Sequence, residues 1–111
     1  MSLICIQDLE KQKDSYCQFL DQELYFEAHE ALELLWFKHR FKDDQEIRLI
    51  RAYINAAVSF ELHKRGRSKA ALKPWGFFQK HHELIKIAPP LHQEHYEHIY
   101  DKIITTADRF T

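Results

Sequence analysis

Apolar positions recur along the chain at the three-and-four spacing of helices, and no stretch alternates with period two for long enough to mark a strand. Ile6, Leu9, Lys13, Tyr16 or Cys17, and Leu20 predict a first helix over about 5–20. A second is predicted over about 22–39, with Asp21 as its cap, Glu23 at its positive amino end, and His39 and Arg40 at its carboxyl end. At about 100° per residue, Leu24, Ala28, Leu32 and Leu35 form one stripe of that helix, Phe26 and Phe37 point nearly the opposite way, and Leu34 lies between. A helix apolar on every side is expected to be surrounded, so this is the expected central buried helix. Asp43-Asp44-Gln45-Glu46 reads as a capping box before Ile47, Ile50, Ile54 and Val58, predicting a third helix over about 44–65. Gly66 is placed as its C′ residue, after Lys64 and Arg65 in the last turn.

Ser68 is the expected cap of a fourth helix, which Pro74, followed by Trp75-Gly76, is expected to kink or break. Phe77, Phe78, Leu84 and Ile87 carry the apolar pattern on to Ala88-Pro89-Pro90, which ends it. A last helix begins near Leu91, with Tyr96, Ile99, Tyr100, Ile103, Ile104 and Ala107 as its stripe. The expected fold class is all-α: a small single-domain bundle of about five helices, spanning 1–111, around the helix at about 22–39.

Composition narrows the function more than it names one. An apolar fraction of 45% with only two glycines and three prolines in 111 residues supplies a core that needs no disulfide or metal staple. Cys5 and Cys17 do not form a C-x-x-C motif and no secretory apolar region precedes them, so free thiols in the cytoplasm are expected. Nothing approaches a span of about 20 apolar residues, which argues against a membrane role. Sixteen Lys and Arg against 17 Asp and Glu give a net charge of −1, so nucleic-acid binding has no general electrostatic support.

The candidate chemistry lies on the second helix. Its short loop to the third makes the two antiparallel neighbours, with facing residue numbers summing to about 84. That register sets Trp36 across from Arg48, Glu33 across from Arg51, and His29 across from Asn55. A carboxylate beside a core needs a partner, and an arginine fork suits it best; Trp36 over Arg48 adds a cation–π contact. With Glu27, these residues form a polar seam whose first reading is structural, fixing helix register. The other reading makes His29, Glu30 and Glu33 metal ligands or an acid and base. His29-Glu30-x-x-Glu33 matches only part of the zincin His-Glu-x-x-His, because Glu33 replaces the second histidine.

Glu27-Ala28-His29-Glu30, continued by Leu32-Glu33 and Trp36 and then by Ile54-Asn55-Ala56-Ala57 and Arg65-Gly66, resembles a bacterial and archaeal family known as domain of unknown function 309. The resemblance covers about residues 20–75 and implies a small helical bundle with no established activity. The chain departs from the family's pattern at Asn55, where glutamine is usual, and at Arg67 after Gly66, where asparagine is usual. It departs again at Leu62, where a histidine is expected and His63 stands one place away.

Two further clusters are candidates. Lys64, Arg65, Arg67, Ser68, Lys69 and Lys73 gather positive charge and a helix start at the junction of the third and fourth helices, where an anion can bind, against the plainer reading of a solvated face. His92, His95 and His98 repeat every three residues and are weak metal candidates, like His29 and Glu33, because that repeat drifts around a helix. The sequence thus supports, in order, a non-catalytic interaction or scaffold module, a metal-binding or hydrolase-like protein using His29, Glu30 and Glu33, and a weak anion or nucleic-acid binder. No cofactor is expected. The partner classes left open are a second copy of the chain or another protein, with any small ligand unidentified.

Overall fold

The helical stripes become five α-helices in the computed structural model, which describes residues 2–110: α1 (Ile6–Asp21), α2 (Tyr25–Trp36), α3 (Gln45–Lys64), α4 (Ser68–His81) and α5 (Pro90–Ala107). Short 3-10 segments, Phe37–His39, His82–Ile87 and Asp108–Phe110, continue α2, α4 and α5. No strand occurs among the described residues, and the all-α bundle expected from the periodicity is the fold. None of the described helices is long and apolar enough to cross a membrane.

Helix ends follow local chemistry, with three corrections. Asp44 caps α3 as its carboxylate accepts from the amides of Glu46 at 2.9 Å and Ile47 at 3.1 Å. The expected capping box does not form: with Asp44 as the cap, the third helical position is Ile47, and Glu46, one place earlier, turns its side chain into the core. At the other end of α3, Gly66 adopts φ +77, Arg67 N–H donates to the Leu62 carbonyl at 2.8 Å and Gly66 N–H to that of His63 at 3.0 Å, a Schellman motif. The same pair of bonds closes α1, from Leu24 to Phe19 and from Glu23 to Leu20, with Glu23 at φ 60 in the glycine position. Asp21 therefore ends α1 instead of capping α2, which starts later than expected, at Tyr25. Neither does Ser68 cap α4: its hydroxyl lies 3.0 Å from His63 Nδ1, and α4 runs without a break through Pro74. Proline there only deprives the Ala70 carbonyl of its helical donor.

Because an alanine Cβ strains a left-handed backbone, Gly66→Ala is expected to destabilise the fold by about 1 kcal/mol. Urea denaturation of the variant measures it; an unchanged midpoint at an unchanged slope would contradict the cap.

The helix most enclosed is α3, not α2 as expected. Leu49, Ile50, Ala52, Tyr53, Ala56 and Ala57 of α3 are fully buried, and it packs on α2, α4, the 3-10 segment after α4, and α5. On α2 the stripe of Ala28, Leu32 and Leu35 is buried as its spacing requires, joined by Tyr25 and Ala31, but Phe26, Leu34 and Phe37 face solvent. One apolar cluster extends from Ile4 to Ile103. Through it runs a series of tyrosines: Tyr16 donates to the Tyr53 carbonyl at 2.8 Å and Tyr53 to the Tyr96 carbonyl at 3.0 Å, tying α1 to α3 and α3 to α5. Each hydroxyl meets an acceptor, so three large rings are buried without leaving a polar atom unpaired.

Candidate functional site

The outer face of α2 carries the candidate site. Against α1 it forms an open groove of about 650 Å³, with Phe19, Ala31, Leu34 and Phe37 as its apolar lining and Glu27, Glu30 and Glu33, with one cation, Lys38, as its charged lining. Leu34 is 62% exposed, Phe37 57% and Phe41 86%. The Arg40 guanidinium sits over the rings of Phe37 and Phe41, 3.8 and 4.4 Å from their centroids, so the apolar surface continues past the end of α2 under one cation.

His29 and Glu33 meet as one turn of helix dictates, with Nε2 2.5 Å from Glu33 Oε1. The other ring nitrogen, Nδ1, lies 3.2 Å from the Phe26 carbonyl. Both neighbours are acceptors, and a neutral imidazole has a single N–H to offer to one of them. Glu30 is exposed on the groove side, and Glu27 is half-buried beside it. Among the described residues, no three His, Cys, Asp or Glu side chains converge where a metal could sit.

The seam expected between helices is not what α2 and α3 build. They are antiparallel, with Tyr25 against Phe60 at 5.6 Å between ring centroids, yet the polar flank of α3 is rotated away from α2. Arg48 pairs with Asp43 at 2.6 Å, Arg51 lies over the Phe77 ring of α4 at 4.7 Å, and Asn55 donates to the Arg51 carbonyl at 2.9 Å. Glu33 therefore pairs with His29 and not with Arg51. Trp36 packs against the apolar core rather than on Arg48. The rotation follows from burial: α3 encloses eleven of its 20 residues, and that larger face sets its orientation over any single ion pair.

At the basic junction the charges diverge. Lys64 donates to the Glu23 carbonyl at 2.8 Å and Arg65 to Glu61 at 2.6 Å, while Arg67, Ser68 and Lys69 are exposed. On α5 the three histidines also separate: His92 is buried, His95 half-buried and His98 exposed.

His92 belongs to a cluster that the sequence reading missed. Its Nδ1 is 2.6 Å from Glu46 Oε2, the Tyr96 hydroxyl donates to the same oxygen, and Ser2 Oγ donates to Oε1 at 2.5 Å. Glu46, His92 and Tyr96 are all buried. Burial, and then the Glu46 charge beside it, holds the Tyr96 phenol far above its ordinary range. A signal existed: His92 extends the Tyr96, Ile99 and Ile103 stripe back by one turn, which points it inward.

A five-helix bundle whose second helix is buried on one side and bare on the other defines the class: a small all-α protein with its candidate surface on the α2 hairpin. The family described as "Domain of unknown function (DUF309)" matches residues 14–73, from within α1 to within α4, and the chain belongs to that family. No curated protein and no solved structure matches it.

Proposed function

We propose that this protein is a non-catalytic interaction module of the cytoplasm, docking the outer face of α2 onto a basic amphipathic helix of a protein partner. The supporting observation is the exposed pair Leu34 and Phe37 in a groove lined by three carboxylates, Glu27, Glu30 and Glu33, against the single cation Lys38, because an apolar strip with a mostly acidic edge complements leucines flanked by lysines. The pairing of His29 with Glu33 on its own helix favours this reading over metal chemistry there. A synthetic helical peptide of leucine and lysine at three-and-four spacing should bind saturably in fluorescence anisotropy, and its glutamate counterpart should not. Leu34→Asp with Phe37→Asp should weaken binding by at least about tenfold and leave the circular dichroism unchanged, since both side chains are outside the core. Equal binding of the two peptides, or indifference to the double variant, would refute the proposal; a wild-type dimer in sedimentation that the double variant abolishes would reassign the face to a second copy of the chain.

A further inference from the structure

A second trough lies between α3 and α4 and uses none of the residues that line the α2 groove. About 470 Å³ in volume, it has Val58 and Leu62 of α3 as its apolar floor and Arg51, Lys73 and Lys80 around it. No carboxylate lines it. Among the described residues none of the three cations is paired with an acid; Arg51 is instead stacked on Phe77, which holds its guanidinium at the rim. Cations left unpaired around an apolar floor attract an anion that also has an apolar body, and a guanidinium already fixed in place loses little freedom on binding it. Lys73 and Lys80 are two turns apart on α4, roughly 10 Å along the axis, which spans a small molecule.

The α4 wall of the trough carries a second sign. Its residues Pro74 and Gly76 are the two types least suited to a helix interior, and they stand two places apart in an unbroken helix. Packing does not require the glycine: a Cβ at Gly76 would meet no atom within 4 Å, and its backbone is not left-handed. Gly76 lies in the lining of the trough, on the helical face of Lys73 and Lys80, where a Cβ would meet only open space.

We infer that the α3–α4 trough binds a small phosphate-bearing organic anion, its phosphate held by Arg51 and Lys80 and its apolar body lying on Val58 and Leu62 along Gly76. Asn55, whose amide nitrogen is engaged by the Arg51 carbonyl, keeps its side-chain oxygen for a hydroxyl of such a ligand. Val58 and Leu62 also line a smaller cleft of about 260 Å³ with Tyr25, Phe26, His29, Arg65 and the carboxylate Glu61, so only the uncharged end of a longer ligand can continue across α3 toward α2.

The probe is 1-naphthyl phosphate, followed by calorimetry and by amide chemical shifts at low salt. Saturable binding is expected, with shifts confined to residues around Arg51, Asn55, Leu62 and Gly76, and much weaker binding of both 1-naphthol and inorganic phosphate. Gly76→Leu should fill the trough and reduce affinity by at least about tenfold while melting no lower than the wild type, because leucine is the better helix former. Exposed Lys73 and Lys80 permit a second variant, Lys73→Gln with Lys80→Gln, expected to weaken the phosphate but not the naphthol. The assignment is overturned by absence of saturable binding, by shifts centred on Lys64 to Lys69, or by full affinity in Gly76→Leu. Sedimentation with phosphatidic acid vesicles, without binding of the soluble probe, would likewise replace the small molecule with a membrane headgroup.

Discussion

Glu46→Ala is expected to lower the free energy of unfolding by about 3–5 kcal/mol, the largest effect of any single side chain outside the apolar core. The wild-type carboxylate accepts from His92 Nδ1, the Tyr96 hydroxyl and Ser2 Oγ, so it joins the start of α3 to α5 and to the amino-terminal arm. Truncation strands two donors that are 5% and 0% exposed, and neither can turn to water without opening the interface. Glu46→Gln keeps the shape and one acceptor but also places an amide donor against another donor, so an intermediate loss is expected. Urea denaturation followed by circular dichroism gives the comparison. A Glu46→Ala midpoint equal to wild type, at equal slope, would show that the cluster contributes nothing and that α5 is held by its other contacts, among them Ile99, Ile103 and the Tyr53 bond to the Tyr96 carbonyl.

Alkali is expected to unfold the protein steeply. Burial raises the phenols of Tyr16, Tyr53 and Tyr96 above their ordinary range, with the Glu46 charge adding to it at Tyr96. These groups have folded-state pKa values above those of the unfolded chain, so their contribution is complete below about pH 10 and is lost as pH rises beyond it. Each phenol ionised only in the unfolded state removes up to about 1.4 kcal/mol per pH unit, and three of them, half-ionised in the unfolded chain at pH 10, remove about 3 kcal/mol between pH 10 and 11, a large share of a typical domain's stability. Cys17, whose thiol burial pushes up from 9.0 to about 11, begins to contribute in the same direction at lower pH. Tyrosinate absorbance from the three should therefore rise together with loss of helical signal. Full five-tyrosine absorbance while the helix signal persists would contradict their burial.

Much of the architecture was legible because it depends on neighbours within a turn or two. Leu9, Tyr16 and Leu20 on α1 and Tyr96, Ile99 and Ile103 on α5 are buried where helical spacing places them. Asp44 and Gly66 delimit α3 through bonds reaching no more than five residues, and such bonds are written in the local sequence. Of the two outcomes expected at Pro74, the break does not occur, because a helix packed along one face on α3 tolerates one missing donor. Glu23 misled because its left-handed conformation, unusual outside glycine, shifted the boundary between α1 and α2.

Helical segments, most of their ends and the apolar stripe of each follow from local residues. The roll of each helix about its axis does not, and is fixed by packing across the bundle. That roll took Arg51 and Asn55 from the expected seam with α2 to a trough with α4, and left Leu34 and Phe37 uncovered. It also brought Glu46 against His92 and Tyr96, 46 and 50 residues away. Periodicity reports that a face is apolar but not what will cover it, because the roll is set by the sum of all buried contacts across the bundle, against which one ion pair or one exposed phenylalanine weighs little.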